Sequence, residues 1–259
     1  MNVVDLIGGF ATGLVGGFTS GLLGVTPGGG LVVFGVLLLG AEQHVAQGLS
    51  LIAQIPPTSA AGIKRYWDGG SRVPLSLLLW IGLGFVVGGA VGALLANWAA
   101  ATILQWAYVV YLLLLDALLL RRSSIRDRSE ATKSAADPHW AALLLVGCAA
   151  GVSSGFLGIG GGLATVVGLS AVLGMAQHRA QMISLALTLI PTTIPAAWVY
   201  WDHGALPPWS TLAAVIIGLA IGTDVGARFA TRVSPARLRV LLIGFVSVMA
   251  ICMALKAMR

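Results

Sequence analysis

Two stretches of this sequence could hold an anion without any fixed cation. One reads Ser20-Gly21-Leu22-Leu23-Gly24-Val25-Thr26-Pro27-Gly28-Gly29-Gly30, the other Ser154-Gly155-Phe156-Leu157-Gly158-Ile159-Gly160-Gly161-Gly162. Consecutive glycines break a helix, because glycine is costly in helix interiors and permits positive φ. Each run precedes a short apolar segment, whose first helical turn would carry free N–H groups and a partial positive charge. Two such ends brought together make an anion site. The candidate contacts are Ser20, Thr26, Gly28, Gly29 and Gly30 in one copy, and Ser154, Gly160, Gly161 and Gly162 in the other, with Ser153 as a further hydroxyl.

A second set of polar groups follows each glycine run. Gln47, Ser50, Gln54 and Thr58 fall close to one face of a helix, as do Gln181, Ser184, Thr188 and Thr192. A polar stripe on an otherwise apolar membrane helix turns toward protein or water rather than lipid. Pro57 and Pro191 near its end remove backbone hydrogen bonds and are expected to kink or open that helix. His44 and His178 sit where the stripe begins. With the two prolines they are candidates for gating or for coupling to a proton, against the plainer reading of helix-entry residues.

Other chemistries find less support. There is no HExxH and no Ser/His/Asp set in a plausible setting, so an enzyme has no nucleophile or metal to rest on. Cys148 and Cys252 lie in apolar runs without ligand spacing and read as small hydrophobes, so no metal and no cofactor is expected. Gly155-x-x-Gly158-x-Gly160 spells part of a dinucleotide fingerprint, but no strand precedes it. Asp116 and Asp224 lie deepest among the acids and read as structural, Asp224 through an i,i+4 pair with Arg228. Tyr66, Trp67, Tyr200 and Trp201 read as interfacial aromatics. Gly84-Gly88-Gly92 and Gly218-Gly222-Gly226, four apart, read as packing seams that serve either internal contacts or a homodimer.

The elements that must position these residues are membrane helices. Hydrophobic residues make up 58% of the chain and charged residues 9%, too little polar surface for a soluble domain, where about 25% is charged. The net charge of +6 comes from Lys and Arg in the breaks between apolar runs, which marks topology rather than nucleic-acid binding. Apolar runs fall at about 4–23, 28–40, 45–63, 74–96 and 102–120, then 139–157, 161–175, 180–200, 209–227 and 238–256. The second run of each half is too short to span about 30 Å of hydrocarbon, and is expected to be re-entrant or half-helical. The N-terminus carries Asp5 and no Lys or Arg ahead of the first run, a poor signal peptide, so that run reads as a retained helix.

The two halves are copies. Residues 20–74 recur at 154–208 with a constant offset of 134 residues, and 22 of 55 positions are identical. Residues 1–120 and 139–259 form two repeats joined by a polar linker, 121–138, whose Arg121, Arg122, Arg126, Arg128 and Lys133 place it in the cytoplasm. Counting outward puts 13 of the 15 Lys and Arg residues inside and both termini in the periplasm. Five elements per repeat is an odd number, so the second repeat enters the membrane inverted. The expected fold is an all-α polytopic membrane protein of two inverted-topology repeats, five hydrophobic elements each, with short re-entrant or broken helices. A duplicated hydrophobic chain interrupted at matching places is the signature of a secondary transporter.

The paired Ser-Gly-Phe/Leu-Leu-Gly-Ile/Val…Gly-Gly-Gly motif, the His-x-Ala-Gln after it and the Pro-Thr of the third element resemble the TauE/SafE family of sulfite exporters and toluene-sulfonate-uptake permeases. The resemblance covers nearly the whole chain. The first copy departs from it, with Val25-Thr26-Pro27 where the second has Ile159-Gly160-Gly161. The resemblance implies transport of a small sulfur-containing anion, such as sulfite, sulfoacetate or another organosulfonate, across the bacterial inner membrane, often outward, with some members linked to other small carboxylates; alternating access is what two halves rocking against each other would supply. An anion channel, or a membrane sensor or assembly subunit, is the alternative that the residues leave open.

Overall fold

The computed structural model describes residues 3–23, 26–56, 74–125, 139–175, 177–187, 190–230 and 235–258. Their regular structure is all helical, with no strand among them. In order the helices are α1 (Val3–Leu23), α2 (Gly28–Leu38), α3 (Gln43–Ala53), α4 (Leu75–Trp98) and α5 (Ala101–Ile125), then α6 (Trp140–Leu157), α7 (Gly162–Val167), a π-helical turn (Gly168–Val172), α8 (Gln177–Leu187), α9 (Ile194–Asp202), α10 (Trp209–Ala230) and α11 (Pro235–Ala257). The duplication is written into these boundaries. Helix starts at Gly28, Gln43, Leu75 and Ala101 recur 134 residues later at Gly162, Gln177, Trp209 and Pro235. Local chemistry sets them alike. Pro74 and Pro208 stand before α4 and α10, and each carbonyl accepts from the helix that follows, Leu78 N–H to Pro74 and Leu212 N–H to Pro208. Proline has no N–H of its own to lose at such a start.

Leu75–Trp98, Trp140–Leu157 and Trp209–Phe229 are each long and apolar enough to cross a membrane. The second element α2 and the helices of the third elements are not. α2, α3 and α8 have 11 residues each and α9 has 9, about 14–17 Å at 1.5 Å per residue. The expected short second element is therefore present. The third element of the second half goes beyond a kink. α8 ends at Leu187 and α9 starts at Ile194, with Pro191 in the turn between them and Pro195 inside the first turn of α9. Two prolines this close leave no run of N–H donors to carry one helix through. The matching stretch with Pro57 and Thr58 lies outside the described residues, as do Tyr66, Trp67 and most of the linker.

Glycine seams hold the long helices together. α1 lies along α10: a Cβ added at Gly13, Gly17 or Gly21 would meet the backbone of Val215, Leu219 or Thr223. One added at Gly218, Gly222 or Gly226 would meet the backbone of Phe10, Leu14 or Phe18. α4 lies along α6 in the same way, with Gly84, Gly88 and Gly92 on Leu144, Cys148 and Val152, and Gly147, Gly151 and Gly155 on Ile81, Phe85 and Gly89. Both partners count upward together, so both pairs are parallel. The seams expected from the sequence are thus filled within the chain. Every such contact joins a helix of one half to a helix of the other, so the repeats interlock. α5 packs on α11, the fifth elements of the two halves. Large apolar side chains stay exposed on the outer faces, Leu79, Leu83, Val87 and Val91 on α4 and Ile217, Ile221, Val225 and Phe229 on α10, as lipid-facing helices require.

Candidate functional site

The two glycine runs interrupt the helices and meet. α6 closes on Gly158, left-handed at φ 72°, whose N–H binds the Ser154 carbonyl at 2.7 Å in the manner of a glycine C-cap. Gly160 and Gly161 are left-handed as well, at φ 74° and 63°, and α7 restarts at Gly162. In the first copy Pro27 precedes α2. Thr26 Oγ1 donates to the Ile159 carbonyl at 3.2 Å. The runs approach so closely that a Cβ on Gly28 would strike the Ile159 backbone, and one on Gly162 the Thr26 side chain.

Polar side chains hold this broken backbone. Ser50 Oγ shares its proton between the carbonyls of Gly158 at 2.6 Å and Gly28 at 3.2 Å. Its counterpart Ser184 donates to Gly162 at 3.0 Å, the 134-residue image of the Ser50–Gly28 bond. Gln54 Nε2 donates to the Ser50 carbonyl at 2.9 Å, and its amide lies where a Gly160 side chain would go. Gln47 Nε2 donates to the Phe156 carbonyl at 3.2 Å. The physical need is plain: carbonyls freed by a helix break and shielded from water must find donors inside the protein.

Ser20, Thr26, Gly29 and Gly30 line a cavity together with Thr19, Pro27, Tyr111, Leu112, Ile159, Leu163, Phe245, Val246 and Met249. Its volume is about 30 Å³, room for about two waters. Ser154 is buried beside the second run, and its Oγ has no hydrogen-bond partner among the described residues. Thr192 is buried and Pro191 exposed in the turn before α9. His44 Nε2 donates to the Ala96 carbonyl at 3.0 Å, which ties the start of α3 to the end of α4 and fits a helix-entry role. Thr58, Thr188 and Pro57 lie outside the described residues, as do the side chains of Gln181 and His178.

Motifs misplace one tyrosine, Tyr200, and pass over two others, Tyr108 and Tyr111. Tyr200 is corrected outright: it is fully buried, and its hydroxyl points at Gln47 Oε1 and the Gly155 carbonyl, both at 2.9 Å. Its neighbour Trp201 remains exposed and packs on Trp198 and Trp209. Tyr108 donates to the Gly29 carbonyl at 2.6 Å. Tyr111 lines the cavity. A tyrosine inside an apolar run must take its hydroxyl to a partner, and that was the available signal. Tyr200→Phe leaves Gln47 Oε1 and the Gly155 carbonyl without their donor. It should destabilise the protein by about 1–3 kcal/mol, read as a lower melting temperature in detergent; an unchanged melt would mean the hydroxyl holds nothing. Asp116 is buried between α5 and α11 and accepts from Ser247 at 2.6 Å. Asp224 pairs with Arg228 at 2.6 Å as the spacing required.

Long apolar helices, helices broken at matching points in two copies, and a cavity where the breaks meet define a multi-pass α-helical protein of the membrane-transporter class. Residues 9–253 match the family described as sulfite exporter TauE/SafE, and the chain belongs to that family. It is similar to the "Probable membrane transporter protein YdhB" of Bacillus subtilis (strain 168), with 27% identity over 202 residues, 78% of this chain and 80% of that protein. No solved structure matches the chain significantly.

Proposed function

We propose that this transporter moves a small sulfur-containing anion, sulfite, sulfoacetate or another organosulfonate, outward across the bacterial inner membrane by alternating access. The observation that carries the reading is the meeting of two broken-helix ends, one from each repeat, beside a cavity lined by Ser20, Thr26 and the first turn of α2. Backbone N–H groups and hydroxyls recognise an anion there without a lysine or arginine. Rocking of one half against the other would part the runs and open the cavity to each side in turn.

The pairing sense supports inverted repeats. With both termini in the periplasm, α1 and α10 descend into the cytoplasm together, while α4 and α6 rise together. That is the parallel sense of both seams. A membrane-impermeant maleimide, applied to a chain freed of Cys148 and Cys252, tests it. His203→Cys should label in intact spheroplasts and Ser129→Cys only after permeabilisation; labelling of both from one side would end the inverted assignment. For the activity, proteoliposomes should show saturable flux and counterflow of sulfite or a sulfonate, with and without a pH gradient. Non-saturating flux without counterflow would favour a channel, and no flux of any of these anions would remove the substrate class.

A further inference from the structure

The cavity lies between symmetry-related residues, yet its two walls are unlike. Three pairs separated by 134 residues face it together: Gly29 and Leu163, Tyr111 and Phe245, Leu112 and Val246. If the halves were equal, each would bring the same donors. Instead the first half supplies Thr19, Ser20, Thr26, the first-turn glycines of α2 and Tyr111 beside the apolar Pro27 and Leu112, while the second supplies only Ile159, Leu163, Phe245, Val246 and Met249. At each informative pair the polar or open member belongs to the first half. Tyr111 has a hydroxyl where Phe245 has none, and Gly29 exposes backbone where Leu163 covers it.

Most of the hydroxyls on the polar wall are already engaged. Thr19 Oγ1 donates to carbonyls of its own helix, and Thr26 Oγ1 to Ile159. The Tyr111 hydroxyl is different: it is buried and has no hydrogen-bond partner among the described residues. A buried hydroxyl left unpaired is costly, so a group that accepts from it is favoured in the cavity. The opposite wall offers no donor or acceptor side chain, and anything charged placed against it would be desolvated without return.

We infer that, once the halves part and widen a cavity that holds about two waters in this conformation, the two walls divide the substrate between them. The first-half wall, through Tyr111 and the start of α2, takes the anionic head. The second-half wall, through Leu163, Phe245 and Met249, takes an apolar carbon body and sets specificity by its size. The inference rests on the transport reading above and narrows it: an anion with carbon attached is preferred to the bare inorganic ion, and it binds in one orientation relative to the two repeats.

The experiment is a chain-length series in proteoliposomes containing the full-length protein: sulfite, methanesulfonate, ethanesulfonate and butanesulfonate. kcat/KM should rise from sulfite to butanesulfonate, up to about 4-fold per methylene, the value of one buried CH₂. Phe245→Tyr and Leu163→Ser should each flatten that rise, whereas Tyr111→Phe should lower kcat/KM for every member by a similar factor and keep the slope. Met249→Gln supplies a second apolar-wall variant, and melting in detergent confirms that each variant is folded. Flux that is independent of chain length, or a slope unmoved by all three apolar-wall variants, would overturn the division alone. Absence of saturable flux for every anion would overturn the transport reading beneath it.

Discussion

Gly160→Ala should lower saturable flux by about 100-fold while leaving an assembled protein. Gly160 is left-handed at φ 74°, and an L-residue with a side chain pays about 1–2 kcal/mol there. Its Cβ would also land on the Gln54 amide oxygen. That amide cannot simply swing away, because its nitrogen is bonded to the Ser50 carbonyl at 2.9 Å and to Ser50 Oγ at 3.1 Å. Overpacking of this kind costs about 1–3 kcal/mol. The two effects add to about 2–5 kcal/mol, and each 1.4 kcal/mol is tenfold. They fall on the conformation in which the two runs touch, while the glycine seams stay intact, so the gel-filtration profile should persist. Gly28→Ala separates contact from strain. Gly28 has an ordinary helical backbone, and its Cβ meets Ile159 and Gln54. A loss shared by both variants assigns the effect to contact between the runs, and one confined to Gly160→Ala assigns it to backbone conformation. Normal flux in both would take the glycine runs out of the transport path.

Much of this architecture is legible in the sequence because the duplication is ungapped. A constant offset fixes matching helix starts, and glycine clusters mark the breaks by their backbone cost alone. The short second elements follow from counting apolar residues against bilayer thickness. What the sequence withholds is partnership. Gly84-Gly88-Gly92 announces a close-packed face, but any small-residue face complements it, and nothing local selects α6. The same limit hid Tyr200, whose position beside Trp201 suggests an interface until α9 is seen packed on α3 and α4. The polar stripe was legible as inward-facing, yet Ser50 serves backbone carbonyls, since a hydroxyl cannot announce whether its acceptor belongs to substrate or to protein. The inequality of the cavity walls is spelled in the pairs Tyr111/Phe245 and Gly29/Leu163. It acquires meaning only when α5 and α11 are brought together.

The seams should be the most sensitive positions in the molecule. A Cβ at Gly151 would meet the Phe85 carbonyl and the Gly89 nitrogen, neither of which can yield without moving the whole of α4. Gly151→Ala should therefore destabilise by about 1–3 kcal/mol, and Gly151→Leu should give aggregated protein, because leucine forces the axes out toward the ordinary 8–10 Å separation. Gly244→Ala is the control. Gly244 lies within α11 with nothing within 4 Å of an added Cβ, and alanine there should be neutral or stabilising by up to about 1 kcal/mol. Melting in detergent followed by gel filtration reads all three; a Gly151→Leu protein that elutes and melts like the parent would mean that α4 and α6 are not in close contact. The seam also reaches the site. Gly155, the last glycine of the α6 row, presents its carbonyl to Tyr200, which in turn holds Gln47 on α3. A displaced α6 would carry the second glycine run away from Ser50, so Gly155→Ala, whose Cβ would meet the Gly89 carbonyl and the Ala93 nitrogen, should lose flux as well as stability.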